Sequence, residues 1–150
     1  FTVIAGAMDT VFTINSASLP FAAILGEGTA TAAVTVTDND GDGATATGGL
    51  GAMFYQATYN NGTNFWTGVA GPVVAPAYAS KTASGSIPPW QAIGNISEMA
   101  SQFSFTLEAG DGASGTSSYV VLPVPEPSSV ATLAFAGIGM AGMLFRRRRS

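Results

Sequence analysis

Thr29-Ala30-Thr31-Ala32-Ala33-Val34-Thr35-Val36-Thr37 is the stretch on which the fold turns. Ala30, Ala32, Val34 and Val36 fall on one side of an extended chain, and Thr31, Ala33, Thr35 and Thr37 on the other. Successive side chains of a strand point to opposite faces, so this period of two predicts a β-strand with an apolar inner face and a hydroxyl-rich outer one. Residues 102–108 alternate in the same way: Phe103, Phe105 and Leu107 oppose Gln102, Ser104, Thr106 and Glu108. Residues 53–59 place Met53, Tyr55, Ala57 and Tyr59 on one face. Residues 11–14, 21–25, 64–68 and 118–122 are shorter strand candidates.

Turn formers separate these runs. Asn39-Asp40-Gly41, Asn60-Asn61-Gly62 and Gly110-Asp111-Gly112 predict antiparallel hairpins. Residues 71–89, rich in Pro, Ala and Ser, read as a long connection, and Ser97-Glu98-Met99-Ala100 as one short helical turn. About seven or eight strands without a helix-forming run predict an all-β fold over residues 1–122, an antiparallel β-sandwich of jelly-roll type.

Composition narrows the function. Charged residues make up 9 % of the 150-residue chain, against roughly 25 % in ordinary soluble domains. Histidine and cysteine are both absent. Their absence removes the commonest general base, the best nucleophile, any disulfide framework and any Cys/His zinc site. Eight acids against Lys81 alone give residues 1–122 a net charge of −7, while Arg146, Arg147, Arg148 and Arg149 close the chain. An acidic body argues against nucleic acid as a partner, because phosphate contacts need Lys and Arg. No G-x-S-x-G elbow or S-x-x-K arrangement occurs, and no pair of carboxylates is placed for glycoside hydrolysis. The expectation is a protein that is not an enzyme.

Two constellations in the body suggest ligands. Asp38-Asn39-Asp40-Gly41-Asp42-Gly43 matches D-x-[DN]-x-[DN]-G, the front half of a calcium loop, in which hard carboxylate oxygens surround one centre. The match then stops: Ala46 and Gly49 occupy the ninth and twelfth positions. Asp38, Asp40 and Asp42 are therefore candidate metal ligands for a possible calcium ion. Backbone carbonyls, water, or Glu108 and Asp111 from another loop would complete the set. The bland alternative is a solvated turn. Tyr55, Tyr59, Trp66 and Trp90 (with Phe65) are candidates for a carbohydrate-stacking platform, set against the commoner role of strand aromatics as core.

At Pro123 the composition changes. Pro123, Pro125 and Pro127 favour an extended linker over residues 123–129, with Ser128 and Ser129 at a helix N-cap position. Residues 130–145 carry no charge. As a helix they would rise about 24 Å, a little short of a bilayer core of about 30 Å. An apolar helix ending in four arginines has no polar face for water, so residues 130–150 read as a transmembrane helix with its arginines cytoplasmic. Gly137-Ile138-Gly139-Met140-Ala141-Gly142 spells G-x-G-x-x-G, but no βαβ unit surrounds it.

Val124-Pro125-Glu126-Pro127, two serines, an apolar stretch and a terminal arginine cluster, in that order, resemble the PEP-CTERM sorting domain. The resemblance covers about residues 124–150. It implies an exported bacterial protein whose partners are an exosortase, the inner membrane in transit and an exopolysaccharide-rich surface. Pro125, Glu126, Pro127 and Arg146 to Arg149 carry the motif. The expected function is a structural or adhesive protein of the cell surface or extracellular matrix, with a carbohydrate-binding module as the alternative. Phe1 then reads as a mature N-terminus left by signal-peptide removal, or as a fragment start.

Overall fold

The computed structural model describes residues 1–124. They form β1 (Thr2–Ile4), β2 (Thr10–Asn15), β3 (Leu19–Thr37), β4 (Ala44–Gly48), β5 (Met53–Tyr59), β6 (Thr63–Ala70), β7 (Val73–Ala75), β8 (Ser80–Leu107) and β9 (Gly112–Pro123). No helix occurs among the described residues, and all pairings are antiparallel.

The 28-residue β8 is the spine. Its first two-thirds pair with β3, which carries β9 and then β1 on its far side. Its last third is flanked on both edges. Phe103 lies between Ile14 of β2 and Tyr55 of β5, and Phe105 between Phe12 of β2 and Gly48 of β4. β6 extends β5, and β7 extends β4. The strands thus hydrogen-bond into one nine-stranded sheet, not the two separate sheets expected of a sandwich. That sheet is curled, because Val36 of β3, Val73 of β7 and Leu107 of β8 meet in a single buried cluster that a flat sheet could not form.

The alternation that predicts β3 is realised: Ala30, Ala32, Val34 and Val36 are all buried, as are Phe103, Phe105 and Leu107 of β8. Phe105 is fully buried among Phe1, Phe12 and Phe54, at ring-centroid distances of 5.8, 5.6 and 5.7 Å. Such clusters supply the apolar burial that holds a sheet together.

Four local expectations are corrected. Residues 71–89 are not a connection, since they hold β7 and the start of β8. Residues 97–100 are strand, held by pairing with β3 and β5 against their local preference. β3 does not stop at its glycines. Gly26 and Gly28 are buried within the ladder, and a Cβ on Gly28 would stand 2.4 Å from Ile93 Cδ1. Finally, β9 runs through Pro123, and Val124 N still donates to Leu25 O at 2.8 Å, so pairing outlasts the expected boundary at Leu122. The expected transmembrane helix over residues 130–150 lies outside the described residues. Among those described, no helix is long and apolar enough to cross a membrane.

Candidate functional site: an acidic corner, a hydroxyl face and the exit of β9

The acidic loop joins β3 to β4. The side chain of Asp38, 4 % exposed, anchors it. Asp38 Oδ1 accepts from Gly41 N (3.3 Å) and Gly43 N (3.1 Å), and Oδ2 from Gly41 N (3.0 Å) and Tyr78 N. The Tyr78 bond, followed by those from Gly41 and Gly43, holds the Asp38 carboxyl below its usual range against the opposing effect of desolvation. The tight loop needs φ of +98° at both Gly41 and Gly43, a region that L side chains rarely adopt. The Tyr78 ring also lies where a Gly41 Cβ would be, 2.2 Å from Cζ.

Asp38, Asp40 and Asp42 come together as the motif predicts: each offers a carboxylate oxygen, and these atoms lie within 4.8 Å of one another. Asp40 and Asp42 are exposed. Their closeness raises the Asp42 carboxyl above its ordinary value, chiefly through a proton shared with Asp40 and repulsion from it. Since Asp38 is occupied by N–H donors, Asp40 and Asp42 have the more open oxygens. This all-oxygen set fits a hard divalent cation of the calcium type.

The β8–β9 turn abuts the loop. Asn39 N donates to Asp111 Oδ1 at 3.3 Å, and Asn39 Nδ2 to Gly110 O at 3.4 Å. Asp111 is fully buried, and its Oδ2 has no hydrogen-bond partner. Desolvation drives its carboxyl upward, opposed by the Asn39 N–H and assisted by repulsion from Asp38, Asp40 and Glu108.

The candidate carbohydrate aromatics are not brought to one surface. Tyr55 is fully buried against Phe103 (4.9 Å) and Trp66 (5.5 Å). Trp66 is half-buried over Gly68 and Gly85, Tyr59 is half-buried opposite Met99, and Trp90 is exposed on another part of β8. Tyr55 therefore belongs to the core, because β5 is covered on both faces.

Sequence reading misses a second surface. The ladder sets Thr31 of β3 beside Ser86 of β8 and Ser118 of β9, and Thr35 beside Thr82 and Ser114. Thr35 bonds Thr82 and Thr37 bonds Ser80 through their hydroxyls, each at 2.8 Å. The outer side of three strands is thus a continuous hydroxyl face. Its β3 row is legible in the alternation, but its β8 row falls in the supposed connection. Tyr78 is missed as well, since nothing in Pro76-Ala77-Tyr78-Ala79 marks it as a loop partner.

Along β3 and β9 the acidic corner and the exit into the tail occupy opposite ends. Thr37 pairs with Gly112 beside the loop, and Gly26 pairs with Pro123 at the exit. Eleven strand steps of about 3.3 Å separate them by roughly 36 Å along the strand.

An acidic all-β body thus passes without a break from its long β9 into a Pro-rich, apolar and basic C-terminal segment, the construction of a domain followed by a sorting signal. Residues 123–149 match the family model of the PEP-CTERM protein-sorting motif. That match implies export, sorting to the cell surface and an exosortase as processing partner. No curated protein matches the chain. Among solved structures, a chain described as "Structure of infectious bursal disease virus Gx strain" is similar at 14 % identity with a TM-score of 0.32, over 81 % of this chain. The present chain spans 30 % of that one.

Proposed function

We propose that the β-domain is a non-enzymatic structural or adhesive component of the cell surface or its polymer matrix, released from a transient membrane anchor over residues 130–150 by an exosortase. The observation that carries the body's role is the hydroxyl face of β3, β8 and β9. It is broad and polar, and the register of Lys81 with Val36 turns that cation to the opposite side, so the face presents neutral hydrogen-bonding groups of the kind that recognise neutral polymers. The sequence offers no nucleophile–base set to that face. The acidic corner serves as a calcium site of extracellular type, with Asp40 and Asp42 as principal donors and Asp38 holding the loop in shape.

A second reading, a carbohydrate-binding module, draws on the same face in place of the dispersed aromatics. Fractionation of the native host tests the first reading: the body belongs in the surface or matrix fraction, and recovery in the periplasm alone contradicts it. Affinity electrophoresis in gels containing the host's exopolysaccharide tests the second. Retardation that is lost in a Thr31→Glu/Ser114→Glu variant supports it, and unretarded migration of the parent rules it out.

A further inference from the structure

Where β9 leaves the fold, the outer face changes from hydroxyl to apolar. Leu122 pairs with Glu27 and Val120 with Thr29, so both side chains share the outer face with Leu25. They are 49 %, 39 % and 51 % exposed. Trp90, 41 % exposed, stands in the bulged stretch of β8 opposite Thr29. Large apolar side chains gathered at one place on a domain mark an interaction surface. The one basic side chain among the described residues, Lys81, is opposite Val36, toward the acidic end. Glu27 is the only charge on the outer face between Leu25 and Thr29. Attraction to an anionic partner is therefore not what this patch offers.

The chain's own continuation says what covers it. Val124 is hydrogen-bonded to Leu25, and only residues 125–129 separate it from the uncharged run that starts at Val130. Five extended residues reach at most about 18 Å. The headgroup layer uses up roughly 5–8 Å of that on each side of the hydrocarbon. While the tail is attached, the end of β9 is therefore held within about 13 Å of the lipid surface. Tryptophan beside leucine and valine is the composition that settles at such an interface.

We infer that the patch of Leu25, Trp90, Val120 and Leu122 rests on the bilayer surface while the sorting segment is attached, so that the domain is presented to its processing enzyme in one orientation with the acidic corner pointing away from the membrane. This rests on the reading of residues 130–150 as the membrane segment. Contact is apolar, so zwitterionic lipid suffices.

The chain has no cysteine, so single reporters can be placed without background. Full-length Leu122→Cys and Thr82→Cys variants, carrying nitroxide labels, are reconstituted into phosphatidylcholine vesicles, floated and read by power-saturation spin resonance. The expected result is co-flotation of both. The label at 122 is then more accessible to oxygen than to a water-soluble nickel complex, and the label at 82 the reverse. Adding Leu25→Ser and Trp90→Ser to the Leu122→Cys variant returns its label to water. Co-flotation with an aqueous label at 122 in the unaltered background overturns the docking and leaves the membrane segment standing. Spin–spin broadening at 122 means that a second copy covers the patch, and overturns the docking as well. Failure to float removes the membrane segment itself, and the docking with it.

Discussion

Removing the Phe105 ring tests the spine of the fold and the register of β2 together. Phe105 is fully buried and touches Phe1, Phe12 and Phe54 at centroid separations between 5.6 and 5.8 Å. Truncation to alanine loses the transfer free energy of the ring and leaves a cavity, together about 3–5 kcal/mol. The aromatic pairs lie within that figure and are not added to it. At this size each kcal/mol moves the melting temperature by roughly 3–5 °C, so Phe105→Ala is expected to melt about 10–20 °C lower. Val11 supplies the contrast. It lies on the neighbouring strand, 70 % exposed and opposite Thr106. Val11→Ala is expected to stay within about 0.5 kcal/mol of the parent. A one-residue slip of β2 against β8 would exchange the environments of Val11 and Phe12. Urea denaturation followed by circular dichroism gives both values. A cost below about 1 kcal/mol for Phe105→Ala, or one above that for Val11→Ala, refutes the packing and the register described.

The remaining predictions concern the acidic corner. Gly41→Ala places a Cβ against the Tyr78 ring at a φ of +98°, and thermal melts should show a loss of more than about 1 kcal/mol. Asp111 has its pKa raised by folding, so its contribution favours the fold below the unfolded value of about 3.9 and is lost as pH rises through the folded value. Asp111→Asn is therefore expected to be more stable than the parent at neutral pH in chelator, with the difference shrinking toward pH 3. A difference that grows on acidification would reverse the sign. Millimolar calcium is expected to raise the parent's melting temperature by a few degrees and to leave Asp40→Ala unmoved. An unchanged parent, or an equal rise in Asp40→Ala, removes the site.

Much of this architecture can be read before any coordinates. Val34 and Val36, or Phe103 and Phe105, announce their burial because a strand with one covered face must alternate. The Asn60-Asn61-Gly62 turn announces itself as well, and all three residues adopt positive φ there. What is not legible depends on partners far along the chain. Residues 97–100 have no local reason to be extended; pairing with β3 and β5 makes them so. Ala44 and Ala46 are buried to 0 % exposure on a strand too short and too small in side chain to betray itself. Tyr55 looks like half of a sugar platform by spacing, and is core because the curl of the sheet encloses its ring against Phe103 and Trp66. At the acidic corner the three aspartates are legible from the motif. Asp38 as the loop's internal anchor is not, since one of its donors comes from Tyr78, forty positions later.

The central claim is that this body is delivered to the surface and parted from its C-terminal segment. Intact-mass measurement of the protein recovered from its native host tests that claim most directly. The expected mature chain lacks the arginines at 146–149 and the apolar run before them, and keeps β9. A mature chain that still ends at Ser150 would contradict processing and leave a permanent anchor.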